Sequence, residues 1–141
     1  AIECDINVLK DGTVVVFHDK DFRRLCNVDA KLSEKTYQDI QSYRLMQSQE
    51  KIMTLSELIE LVSGKVPLLI ELKPHGDAIL LCENTAKILD QYPHPYAIFS
   101  FHQKVVNWFK KNRSHVIRGQ ISEYVKNDMK LNKLTKYLMK S

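Results

Sequence analysis

The stretch VPLLIEL at residues 66–72 constrains the fold most, because it is apolar except for Glu71. A run of this kind reads as a strand covered on both faces, and strands covered on both faces belong to parallel sheets. YAIFSF at residues 96–101 repeats the pattern. Between them, Asp77 can cap a helix reaching about Gln91, and the Pro93-His94-Pro95 segment then breaks the chain. Upstream, Thr54 with Glu57 three residues later spells a capping box ahead of LIELV, and Gly64 stops that helix. His102–Asn112 reads as a further helix, residues 115–121 as a strand and the tail as a last helix. Strands alternating with helices predict an α/β architecture built on a parallel sheet. Nothing in residues 1–141 reads as a repeat or a linker, so a single domain is expected.

The front of the chain is different in kind. Residues 2–9 (IECDINVL) and 14–17 (VVVF) read as strands joined through Asp11-Gly12, a strong hairpin signal. With a two-residue loop, Lys10 pairs with Thr13 and Asp5 faces His18. Alternation then puts Glu3, Asp5, Asn7 and His18 on one face, and Ile2, Cys4, Ile6, Val15 and Phe17 on the other. Residues 20–50 are polar and irregular, with short helical stretches expected near 33–42.

The polar face is where chemistry is expected. Glu71 adds a third carboxylate at the end of the next strand, and Lys73 follows on the same face. In parallel α/β folds functional groups collect at the carboxyl ends of strands. Three carboxylates without soft ligands suit a hard divalent cation, Mg²⁺ or Ca²⁺. The adjacent lysine would attract an anion such as a phosphate, and His18 supplies a proton donor or acceptor near neutral pH. Together these point to metal-assisted phosphoester chemistry. From spacing alone, an exposed polar hairpin face with a surface Glu71–Lys73 pair reads equally well.

Other features carry less. Asp19 could orient the His18 imidazole, but strand alternation sends it to the opposite face. DKDFRRLCNVDA resembles a calcium loop until its sixth position, where the required glycine is Arg24. His75 and Gly76 either line the mouth of the site or form a turn, and His102 starts a helix. Trp108 and Phe109 read as core anchors. Cys4, Cys26 and Cys82 are scattered without metal-ligand spacing, which fits reduced thiols and a cytoplasmic location. No apolar run is long enough to span a bilayer. The net charge of +4 conceals a split: residues 1–109 hold 12 Lys/Arg against 15 Asp/Glu, and residues 110–141 hold 9 against 2. The basic tail spaces its lysines among Leu, Met and Tyr as a solvated helix face does. Nucleic acid is therefore not an expected partner, and membrane association is left open without being indicated.

These motifs in this order resemble the glycerophosphodiester phosphodiesterases of the phosphatidylinositol-specific phospholipase C-like barrel group. IECDINVLKDGTVVVFHD is similar to the family's E-x-D strand, its turn and its VVxHD strand, and Arg24 falls where the family keeps an arginine. IMTLSELIELVSGKVPLLIELK and AIFSF match later family segments. The resemblance implies Glu3, Asp5 and Glu71 as ligands of Mg²⁺ or Ca²⁺, His18 as the general acid on the leaving alcohol, and Lys73 as a phosphate contact. It implies hydrolysis of glycerophosphodiesters to glycerol 3-phosphate and an alcohol through a cyclic phosphate. The family's HRG…PENT segment would precede residue 1, ENT at 83–85 is coincidental, and about five strands of an eight-stranded TIM barrel are accounted for. The expectation is a partial barrel and a fragment of the enzyme, inactive by itself and able to oligomerise through open sheet edges. The alternative is a catalytically silent remnant that binds phospho-ligands or a partner.

Overall fold

The computed structural model describes residues 1–122. The predicted last helix lies outside the described residues. The other elements alternate as expected: strand β1 (Ile2–Val8), strand β2 (Val14–Val16), a one-turn helix α1 (Arg23–Cys26), helix α2 (Leu55–Val62), strand β3 (Leu68–Leu72), helix α3 (Ala78–Leu89), strand β4 (Tyr96–Ser100), helix α4 (Gln103–Asn112) and strand β5 (Ile117–Gln120). The strands form one open sheet in the order β2-β1-β3-β4-β5. All neighbours are parallel except the β1–β2 hairpin. The open sheet is that of the expected partial (β/α) barrel.

Helices α2 and α3 begin where the sequence offers a side-chain oxygen to the free amides of the first turn. The Thr54 hydroxyl accepts from the Glu57 amide, and the Glu57 carboxylate accepts in return from the Thr54 amide. Asp77 accepts from the Ile79 and Leu80 amides at 2.9 and 3.0 Å. Helix α2 ends with Ser63 in the left-handed region, followed by Gly64 at φ +73°.

Two apolar clusters hold the molecule together. The larger lies between sheet and helices: Cys4, Ile6, Val8, Leu68, Ile70, Leu72 and Ile98 meet Leu55, Leu81, Leu89, Val105 and Phe109. Trp108 packs against its edge. Full burial of one such side chain is worth about 1.5–3 kcal/mol, so this layer supplies most of the stabilisation. The smaller cluster is built from Leu9, Val15, Phe17, Phe22, Leu32, Ile40 and Ile52. It is assembled almost wholly by chain outside regular elements. In place of the helical stretches expected at 33–42 there is one 3₁₀ turn, Leu32–Glu34, followed by turns. Thr36 and Asp39 exchange side-chain and backbone hydrogen bonds there, a local alternative to helix.

The hairpin register is one residue away from the expected one. Ile6 pairs with Val16, Asn7 with Val15 and Val8 with Val14, so the loop has three residues, Lys10-Asp11-Gly12. Gly12 sits at φ +86°, the left-handed position that closes a three-residue loop. Asp11 accepts from the Thr13 amide at 3.1 Å and from the Tyr37 amide at 2.9 Å, fastening the turn to the following loop. On the other side, Asn84 of α3 donates to the Gly12 carbonyl at 2.7 Å. A methyl group on residue 12 would lie 2.8 Å from that same amide nitrogen. The slip moves Val15 and Phe17 to the face of Asp5 and Asn7, away from Cys4 and Ile6.

Candidate active site

The parallel ladder between β1 and β3 sets Asp5 beside Glu71 and Glu3 beside Leu69. Alternation then turns Glu3, Asp5 and Glu71 to the face away from Cys4, Ile6 and Ile70. Each of the three offers a carboxylate oxygen, and these oxygens lie within 4.8 Å of one another. The Lys73 ammonium enters between two of them, 2.9 Å from Glu71 Oε1 and 3.4 Å from Asp5 Oδ1. It also lies 5.8 Å from the centroid of the half-exposed Phe101 ring.

Three anions and one cation leave an excess of negative charge. Partial desolvation, then the Asp5 and Glu71 charges, push the Glu3 carboxyl above its ordinary value, while Lys73 and His18 pull the other way. Desolvation works against the Lys73 ammonium, but the Glu71 hydrogen bond and the charges of Asp5 and Glu71 outweigh it and raise that group. The donor set is hard oxygen, with a spread that one cation's coordination shell can span, so these residues fit Mg²⁺ or Ca²⁺. Cys4 lies between two of the carboxylates in sequence but faces the core. Burial, followed by the Glu3 and Asp5 charges, pushes its thiol up to about 12, leaving no thiolate to offer.

His18 reaches the same groove by another route. It does not pair with Asp5: the Phe17 amide takes the Asp5 carbonyl at 2.9 Å, and β2 has already ended. The chain then turns, and His18 lines a groove of about 310 Å³ with Glu3, Asp5, Val16, Phe17, Leu25, Leu45 and Met46. The backbone on either side of it is braced. Asn7, fully buried, donates to the Phe17 carbonyl at 2.8 Å. His75 Nε2 lies 3.2 Å from the His18 carbonyl. Burial, foremost, lowers the His75 imidazole from its ordinary value. His75 thus contacts the site's scaffold, while His102 serves only as the N-terminal flank of α4.

One expectation needs correction. Asp19 was expected on the opposite face, yet outside the ladder alternation no longer applies. Its Oδ1 lies 2.7 Å from His18 Nδ1, and Arg24 grips both its oxygens. The signal available in sequence was an arginine five residues after the aspartate, on a helix too short for periodicity to reveal. Sequence reasoning also treated Asn7 as one more polar residue on the face, whereas it is a buried brace.

With this geometry in hand, comparison with known proteins is direct. A model of the glycerophosphoryl diester phosphodiesterase family matches residues 1–138, and the chain belongs to that family. It is 30% identical over 97 residues to "Putative glycerophosphodiester phosphodiesterase YhdW" of Bacillus subtilis (strain 168), covering 64% of this chain and 40% of the relative. Its fold is similar to that of an Oleispira antarctica phosphodiesterase solved with the product sn-glycerol-3-phosphate, with a TM-score of 0.82, 23% identity, and coverage of 97% of this chain and 59% of that one. A Thermotoga maritima glycerophosphodiester phosphodiesterase gives a TM-score of 0.75 at 24% identity, covering 99% of this chain and 56% of that one. The chain therefore spans between 40% and 59% of the length of these proteins. The open sheet is the corresponding part of a TIM-type barrel.

Proposed function

We propose that the protein hydrolyses glycerophosphodiesters to glycerol 3-phosphate and an alcohol, with Mg²⁺ or Ca²⁺ held by Glu3, Asp5 and Glu71. The observation that carries this reading is the convergence of those three carboxylates within 4.8 Å beside Lys73, two of them, Glu3 and Asp5, lining a groove that His18 also lines. Family membership supports the substrate class. A cation bound there would offset the charge of the phosphodiester and polarise its phosphorus–oxygen bonds.

The remaining work falls to the chain itself. Lys73, fixed by Glu71 and Asp5, presents an ammonium to a phosphate oxygen. His18 gives its proton to the departing alcohol oxygen, so that a poor alkoxide leaves as a neutral alcohol. The attacking group is the substrate's own neighbouring hydroxyl, which loses its proton to solvent as it bonds to phosphorus. The resulting cyclic phosphate is opened by a water whose proton goes to the now neutral His18. Leu25, Leu45 and Met46 form the apolar side of the groove.

The test is an assay of glycerophosphocholine turnover by the full-length natural protein. Chelation with EDTA should abolish turnover, and added Mg²⁺ or Ca²⁺ should restore it. His18→Ala should lower kcat by about 10² to 10⁴-fold, the usual range for a lost acid–base group. Turnover that ignores both treatments overturns the proposal. A metal-replete wild type that binds glycerol 3-phosphate without turnover favours the silent-remnant reading instead.

A further inference from the structure

We propose that Asp19, clamped by Arg24, is the positioning residue of the site: it holds the His18 ring with Nδ1–H toward itself and leaves Nε2 for the leaving oxygen. This rests on the reading of His18 as general acid. The argument begins with exposure. The His18 side chain is 56% exposed, so packing alone does not fix its ring, whereas the Asp19 side chain is 17% exposed and therefore held. Asp19 Oδ1 meets both His18 Nδ1 and Arg24 Nη2 at 2.7 Å, and its Oδ2 accepts from Arg24 Nε at 2.8 Å. A carboxylate gripped on both oxygens by a guanidinium stays ionised and can only accept. Nδ1 must therefore be the donor, which settles which ring nitrogen is left over.

The clamp is anchored from below. Arg24 stands on α1, whose preceding residue Phe22 is wholly buried and accepts from the Cys26 amide at 2.9 Å through its carbonyl. The Leu25 carbonyl accepts from the Met46 amide at 2.7 Å, tying the helix to the wall of the groove. An ordinary exposed ion pair would contribute about 0–1 kcal/mol and nothing to chemistry. Here the shared carboxylate has an imidazole as its second partner, and that imidazole lines the same groove as Glu3 and Asp5. The hydrogen bonds of Arg24 and burial act oppositely on Asp19, and with His18 adding to the first, its carboxyl is drawn down to about 2.

The proton balance is simple. As the phosphorus–oxygen bond to the alcohol breaks, its electron pair goes to the departing oxygen. That oxygen takes the proton from Nε2 of the imidazolium, and the N–H electron pair stays on the ring. Nδ1 keeps its proton throughout, and Asp19 keeps its charge.

The experiment uses the full-length, metal-replete protein, its Asp19→Asn, Arg24→Ala, Arg24→Lys and His18→Ala variants, and the Asp19→Asn/His18→Ala double variant. Asp19→Asn should lower kcat by about 10²-fold with KM within roughly twofold, and Arg24→Lys should recover only part of the loss of Arg24→Ala, because a lysine cannot fork. In the His18→Ala background, Asp19→Asn should cost nothing further, since a positioning residue acts only through its partner. Two-bond ¹H–¹⁵N spectra of the neutral ring should show His18 protonated on Nδ1 in the wild type and on Nε2 in Asp19→Asn. Arg23→Ala, the neighbouring surface residue paired with Asp29, should leave turnover unchanged. If Asp19→Asn keeps full kcat, or loses as much activity in the His18→Ala background as alone, the proposal fails. If Asp19→Asn does not fold, Arg24→Ala on its exposed side chain decides by the same two readouts. Full activity in His18→Ala would instead overturn the general-acid assignment itself.

Discussion

The two halves of the site are positioned by different physics. Glu3, Asp5 and Glu71 stand on adjacent strands, and a parallel ladder with Asp5 opposite Glu71 fixes their spacing through the backbone. His18, Asp19 and Arg24 stand on chain without a ladder, held over a plug of Phe17, Phe22, Leu32, Ile40 and Ile52. A ladder distributes its constraint over many hydrogen bonds, so the loss of one side chain leaves the register intact. A plug of a few large side chains concentrates the constraint. The carboxylates are therefore the rigid half, and the histidine arm is the half that mutation can dislocate without unfolding the sheet.

That contrast can be broken most forcefully at Phe22, whose ring packs 5.2 Å from Phe17 and 5.1 Å from Tyr43 by centroid. Phe22→Ala should cost about 3–5 kcal/mol of stability, as large-to-small core changes do. Calorimetric titration should still show cation binding at the carboxylates, while the His18 ring signals lose their ordered environment. Loss of cation binding along with the arm would show that the halves are one unit.

Acid separates them more gently. The depressed Asp19 carboxyl stabilises the fold above its ordinary value of 3.8, and that contribution fades as pH falls toward about 2. Glu3 has the opposite sign: its raised value means that the folded, metal-free protein takes up this proton more readily than the unfolded chain, so its contribution grows as pH falls through that value. Carboxyl ¹³C titrations should place Asp19 near 2 and Glu3 above 4.5. Coincident titration at ordinary values would erase the electrostatic distinction.

The smallest expected effect lies at the seam, where Thr54 both caps α2 and bridges to Val15 of β2. Thr54→Ala should cost about 1 kcal/mol in chemical denaturation, the usual value of a helix cap. A loss near that of Phe22→Ala would mean that the seam, not the plug, holds the arm.

The same contrast explains what the sequence disclosed. The strands, the caps at Thr54 and Asp77 and the carboxylate–lysine set were legible because each depends on local chemistry and strict alternation. The hairpin register was not, since Asp11-Gly12 serves two-residue and three-residue loops alike. The longer loop is held by contacts distant in sequence, among them the Asp11 bond to Tyr37, 26 residues away. The side taken by Asp19 is illegible for a related reason: alternation holds only as far as Val16, where β2 ends. The apolar plug was illegible because its members, from Leu9 to Ile52, have no period in common.

The clasp between Asn84 and the hairpin loop has a consequence for heredity. Its amide fills the space that any side chain at position 12 would need, so the two positions are not free to drift independently. A lineage that replaces Gly12 must accept the left-handed backbone at φ +86° and also displace the Asn84 amide. Two sites 72 residues apart in the gene are thus joined by a contact that a change at either one disturbs.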